Sequence, residues 1–214
     1  MTWVFLSHPL DETTPTFYTN PRFTRKPQAR VDTDGYAQET VTFLNHSGSH
    51  ADAQAHFIQG GRAIDQYRAE EFVFASVTVA EVASQPDDLI ERLVVEGRPE
   101  LLLLKTGFQR LRGDPECWGY HNPGLTGDLA RHLLDACPGV RALGMDLPSA
   151  AGAQHLAEGA AFHQVWLGAD RLIFEDLDLN GVDAHSAIRQ VLALPLRICG
   201  SDGAPCTVIA QVEA

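Results

Sequence analysis

Short apolar runs, separated by turn-forming residues, divide this chain into strands and helices. Trp3–Leu6 is a compact apolar run that predicts a first strand. Residues 8–30 are rich in Pro, Thr and Arg and predict an irregular arm, because Pro9, Pro15, Pro21 and Pro27 exclude a long helix. Gln38–Asn45 places Val41 and Phe43 on one face of a strand. Phe72–Val79 alternates Phe72 and Phe74 against Val73 and Ala75, again as a strand. Pro86–Glu96 predicts a helix, with Pro86 and two aspartates in its first turn and Leu89, Leu93 and Val94 on one face.

The second half switches between the two periods. Leu101–Leu104 is continuously apolar, as in a strand covered on both faces. Thr126 is the N-cap expected for a helix through Ala136, with Leu129, Leu133 and Leu134 inward. Val140–Met145 reads as a second buried strand. Ala157–Leu167 reads as a helix stopped by Gly168, and Arg171–Phe174 as a strand with Glu175 at its end. Leu196–Cys199 and Thr207–Val212 flank GSDGAP, a hairpin signal. Strand and helix alternate late in the chain, and strands crowd both ends. The expected fold is therefore α/β: one domain over residues 1–214, with a mixed β-sheet flanked by helices, antiparallel hairpins and the irregular N-terminal arm. GxGxxG and GxxxxGK[ST] are both missing, which disfavours a nucleotide crevice.

At 214 residues, 44% hydrophobic and 21% charged, the chain buries a core without needing disulfides. Cys117, Cys137, Cys199 and Cys206 form no CxxC pair and read as small buried apolar residues, although Cys199 and Cys206 could face each other across the hairpin. A net charge of −12 argues against nucleic acid or an anionic membrane as partner. No basic, apolar leader opens the sequence and no run reaches membrane-spanning length, so the expected location is the cytoplasm.

The densest chemistry lies in Asn45–Phe57, NHSGSHADAQAHF. His46, His50, Asp52 and His56 follow HxxxHxDxxxH. Neutral imidazoles with a carboxylate suit borderline divalent ions. Gly48 and its flanking serines disfavour a helix, so the chain should turn tightly and then extend, which points His50 and Asp52 the same way. Local donors seldom complete a site. The best distant pair is His163, within the later helix, and Glu175, at the end of an apolar strand.

With these residues the chain resembles the metal-dependent cyclase family, which includes bacterial kynurenine formamidase and isatin hydrolase. HxGxHxDxxxHF is similar to that family's signature. LSHPL, LLLLKTGF, NPGL, ALGMDLPS, HQVWLGADRLIFEDLDL and PLRICGSDGAPCTVIA follow in the family's order over nearly the whole chain. The resemblance implies a swivelling β/β/α-like fold. It implies His46, His50, Asp52, His163 and Glu175 as ligands of one or two divalent ions, zinc or manganese, with His56 as general acid/base and not a ligand. It also implies a small-molecule substrate and a homodimer or larger homo-oligomer. Two positions depart from the pattern. Ser49 stands where Thr is usual, and Gln54 where Pro is usual, which could loosen the turn that aims His56 or add an amide near the pocket.

A divalent ion activates water and polarises a carbonyl, and an imidazole titrates near neutrality. Together with the resemblance this implies hydrolysis of an amide C–N bond, and the resemblance implies as substrate an aryl formamide such as N-formylkynurenine or a cyclic amide or imide. Two alternatives stand beside it: a metal-dependent cyclase or lyase, and a non-catalytic metal-binding relative. Phe17, Tyr18, Trp118, Tyr120 and His121 could wall an aromatic pocket or simply pack loops. Asp146 could orient a ligand histidine or make an ordinary strand-end hydrogen bond. His8 is expected to support the fold, and His132, His155 and His185 to lie at the surface.

Overall fold

The computed structural model describes residues 1–82, 93, 95 and 97–213. The helix expected over Pro86–Glu96 lies outside the described residues. The elements in chain order are β1 (Thr2–Phe5), β2 (Thr24–Ala29), α1 (Val31–Asp34), β3 (Gln38–Thr42), β4 (His50–Asp52), β5 (Val73–Phe74), β6 (Val77–Glu81), β7 (Leu101–Lys105), α2 (Pro115–Tyr120), α3 (Gly127–Ala136), β8 (Ala142–Met145), α4 (Leu156–Gly168), β9 (Leu172–Glu175), β10 (Ile188–Pro195) and β11 (Gly203–Val212).

Nine strands form one mixed sheet in the order β5-β10-β11-β4-β9-β8-β7-β6, with β1 also on β11. Strands β6 to β9 run parallel, while β4 joins β9 and β11 antiparallel to both. The sheet curls until β10 approaches β6, so it is nearly closed. Strand β7 shows why its sequence is continuously apolar. Leu101 and Leu103 enter the core inside the curl with Phe74, Phe174 and Val208. Leu102 and Leu104 face the other way, against Leu129, Leu133, Phe162 and Trp166 of α3 and α4. Both faces are covered, so no polar residue is tolerated there.

Thr126 caps α3 as expected, its hydroxyl accepting from the Leu129 N–H. Several boundaries differ from the sequence reading. The Phe72–Val79 run is two strands, because Ala75 and Ser76 break it and send β5 to β10 but β6 to β7. Gly168 lies inside α4, and the chain leaves the helix through Asp170 at φ 57. The closing hairpin begins at Ile188, so Leu196–Cys199 is its loop rather than a strand. The arm is not wholly irregular. Strand β2 pairs with β3 as a separate two-stranded sheet, and a register shift after Pro27 accommodates the missing N–H. Residues 115–120, expected as loop, are helical. Asp114 accepts from the Glu116 and Cys117 amides and Pro115 opens the turn, a start signal legible in the sequence. All four cysteines are free, and Cys199 is exposed in the hairpin loop rather than buried.

Candidate metal centre

The site lies where β4 is clasped between β9 and β11. Gly48 adopts φ +62, a left-handed conformation that favours glycine, and a Cβ there would also push on Leu10 Cδ2 at 2.3 Å, in the turn that delivers the chain into β4. The carbonyl of Gly48 accepts from His50 Nδ1 at 2.8 Å. Along β4, His50 and Asp52 share a face, as their spacing of two predicts. The antiparallel register sets His50 directly opposite Glu175 and Asp52 opposite Ile173. A slip of one residue in β9 would turn Glu175 to the other face of the sheet. Helix α4 supplies His163, whose Nδ1 donates to the Gly159 carbonyl one turn back at 2.7 Å.

The two buried histidines are thus held alike. Each spends Nδ1–H on a main-chain carbonyl and turns Nε2 toward the same two carboxylates. His50 Nε2 lies 3.2 Å from Glu175 Oε2 and 3.5 Å from Asp52 Oδ1. His163 Nε2 lies 3.5 Å from Glu175 Oε1 and 3.6 Å from Asp52 Oδ2. Glu175 Oε1 also accepts from the Ala150 amide at 2.6 Å, which ties the DLPS loop to the site. These four side chains are at most 3% exposed. His46 and His56 stand at the mouth, 18% and 27% exposed, with ring centroids 4.1 Å apart. His46 Nδ1 is 2.8 Å from Asp52 Oδ1.

Two buried carboxylates among imidazoles shift one another strongly. Burial opposes charging His50, but the hydrogen bond to Glu175 and the charge of Asp52 push it up to about 9. Burial likewise opposes charging His163, and its bonds to Asp52 and Glu175 push it up to about 10. Burial would also lower His46, yet the Asp52 carboxylate raises it. Against the same desolvation, Asp52 is held well below the usual carboxylate range by the charge of His46 and its hydrogen bonds to His163 and His46, and Glu175 is lowered by its bonds to His163 and His50.

This donor set fits a divalent ion. Two imidazoles with their second nitrogen already engaged both turn Nε2 to the same two carboxylates, which among the described residues pair with no lysine or arginine. Among the described residues two groups could hold an ion: His50 with Asp52 and Glu175, and His46 with Asp52 and His56. Asp52 belongs to both. The structure brings together all six residues singled out in the sequence.

Above the site opens a cleft of about 290 Å³, lined by Phe17, Leu44, Phe57, Leu156 and Ser149 together with the histidines. Of the five proposed wall residues, Phe17 lines this cleft. Trp118 is buried and borders a smaller adjoining cavity. Tyr18 and Tyr120 stack on each other at the surface, and His121 binds Gln154. Asp146 does not bond to any of the site histidines. Its carboxylate accepts from the Thr106 amide and hydroxyl and the Gly107 amide, so it ties the ends of β7 and β8, and burial raises its pKa. Gln54 turns away from the cleft, where its Oε1 accepts from the Arg62 amide and closes the loop that carries His56. Ser49 donates to the Asp176 carbonyl and accepts from the His8 amide.

One site residue escaped the sequence reading. Asp202, in the hairpin loop, lies 2.8 Å from His56 Nδ1 and 3.1 Å from His46 Nε2. An aspartate inside GSDGAP reads as a turn former, so nothing local distinguished it.

Residues 4–151 match the family described as "Putative cyclase". Kynurenine formamidase from Bacillus cereus is 25% identical over 210 residues, covering 97% of this chain and 96% of the relative. Isatin hydrolase A from Labrenzia aggregata, solved with benzyl benzoate, superposes with TM-score 0.79 at 23% identity over 100% of this chain and 94% of that one. A "predicted metal-dependent hydrolase from Bacillus stearothermophilus" superposes with TM-score 0.73 at 22% identity, over 98% and 97%. At these identities the two solved structures establish the fold. Among the described residues no helix is long and apolar enough to cross a membrane.

Proposed function

Because the chain belongs to the cyclase family, we propose that it is a metal-dependent hydrolase opening the amide C–N bond of a small molecule. The observation that carries this reading is the pairing of a buried His–Asp–Glu–His floor with a partly exposed imidazole, His56, facing an apolar cleft. His46, His50, Asp52, His163 and Glu175 would hold the ion. A divalent cation there, zinc or manganese, supplies Lewis acidity: it acidifies a water and polarises a carbonyl oxygen. The relatives named kynurenine formamidase and isatin hydrolase act on amide bonds, which supports the reaction class.

The protein's own groups do the rest. His56 takes a proton from the attacking water and returns it to the leaving nitrogen, so one water is consumed and an amine and a carboxylic acid result. Phe17, Leu44, Phe57 and Leu156 favour a flat apolar group beside the scissile bond. Aryl formamides fit this chemistry, as do cyclic amides and imides fused to a ring. The homo-oligomer implied by family resemblance belongs to the same proposal, and sedimentation tests it.

The test is His56→Ala, assayed against a panel of aryl formamides and cyclic imides with product mass recorded. Wild-type protein with zinc or manganese should add one water to its substrate. The variant should retain the metal and lose about 10²–10⁴-fold in kcat. Loss of the metal with His56 would make it a ligand. A product of unchanged or reduced mass would shift the reading to a cyclase or lyase.

A further inference from the structure

An imidazole that shuttles a proton must present one chosen nitrogen to the substrate. Nothing in the histidine motif decides which nitrogen of His56 that is. We infer that Asp202 is a positioning residue that fixes the tautomer and the orientation of His56. This inference rests on the role given to His56 above.

Three observations carry it. First, Asp202 Oδ2 lies 2.8 Å from His56 Nδ1. A carboxylate only accepts, so Nδ1 carries the proton and Nε2 keeps its lone pair for the cleft. Second, the carboxylate is itself clamped. Asn45 Nδ2 donates to Oδ1 at 2.6 Å, and His46 Nε2 meets Oδ2 at 3.1 Å. The residue just before the histidine motif therefore holds the carboxylate, and the carboxylate holds the motif's first and last histidines. Third, the position of Asp202 is set by the sheet. Its carbonyl accepts from the Ala53 amide at 2.9 Å, and the next residue, Gly203, pairs with Asp52. The ladder that places the shared carboxylate of the floor also places the brace at the mouth. A Cβ on Gly203 would sit 2.5 Å from His46 Cε1, so the loop approaches the histidines as closely as a backbone can.

A role in holding the turn alone does not require the side chain to face two imidazoles. The turn is closed by other contacts: the Ser201 hydroxyl donates to the Gly203 carbonyl, and Asp65 accepts from the Gly200 amide. The carboxylate of Asp202 is left to the rings and to Asn45.

The experiment compares wild type with Asp202→Asn and Asp202→Ala at saturating zinc, so that weaker binding of the ion does not pass as weaker catalysis. Asparagine keeps the shape and the bond from Asn45, but it can turn an N–H₂ toward His56 and move the ring proton to Nε2. Both variants should lose about 10²-fold in kcat with KM changed no more than about threefold. In the His56→Ala background the Asp202→Asn change should cost nothing further, since the two residues act as one unit. Nitrogen-detected NMR of the zinc-loaded protein reads the ring directly. Wild-type His56 should be protonated at Nδ1, and Asp202→Asn should shift the proton to Nε2 or mix the two forms.

A kcat within threefold of wild type overturns the inference, as does an unchanged His56 tautomer in Asp202→Asn. A loss of activity seen only below saturating zinc also overturns it, since Asp202 would then serve the ion. If wild type hydrolyses no amide while the ring proton still follows Asp202, the positioning role holds and the amide reading falls.

Discussion

Binding of a divalent ion should expel about two protons from the site at neutral pH, and that number follows from the floor of the cleft. In the metal-free protein His50 and His163 are pushed up to about 9 and about 10 by Asp52 and Glu175. At pH 7 a group titrating near 9 is about 99% protonated and one near 10 about 99.9%. An ion needs the lone pair of each Nε2, so both protons must leave as it enters. His46, also raised, contributes in the same sense if it joins the ligands. Asp52 and Glu175 are already ionised and release nothing. The apparent affinity should therefore rise about a hundredfold per pH unit around neutrality and level off above about pH 10. Calorimetric titration of zinc into metal-free protein at pH 7, in buffers of differing ionisation enthalpy, counts the protons from the slope of observed heat against buffer heat. A slope below about half a proton would mean that the buried rings are neutral before the ion arrives. The reading of the floor as charged imidazoles locked to carboxylates would then be wrong.

Two further outcomes follow from the same geometry. Gly159→Ala should destabilise the protein by about 1–3 kcal/mol despite the better helix propensity of alanine, because the new Cβ would lie 2.3 Å from Ala151 Cα. It should also weaken zinc binding by shifting the carbonyl that holds His163; an unchanged urea midpoint and zinc affinity would contradict this. Metal-free protein should lose stability as pH rises. Histidines whose folded pKa exceeds the unfolded value of about 6.5 stabilise fully below that pH, and the contribution disappears through about 9 and about 10. The urea midpoint of metal-free protein should therefore fall between pH 6.5 and 10, and a flat profile would refute the coupling.

The legibility of this protein in its sequence differs from element to element for physical reasons. The N-cap of α3 and the apolar run of β7 rest on local chemistry, and both appear where expected. The break at Ala75 and Ser76 does not follow from alternation, because it depends on which neighbour each half finds: β10 for one and β7 for the other. Asp146 shows the same limit in the site. A carboxylate at a strand end can serve a ligand or a turn, and here the neighbouring Thr106 and Gly107 amides capture it.

By itself the sequence determined which side chains are candidate donors and their kind. The crowding of His46, His50, Asp52 and His56 is a local pattern, and imidazole and carboxylate carry their chemistry wherever the chain takes them. Only the tertiary structure decided that Glu175 stands opposite His50, that His163 turns its Nε2 to the same two carboxylates, and that Asp202 reaches back to His56. Those meetings depend on strand register and helix packing, which, His163 with Glu175 apart, join residues more than a hundred positions apart. A residue's own neighbours in sequence carry no record of such partners.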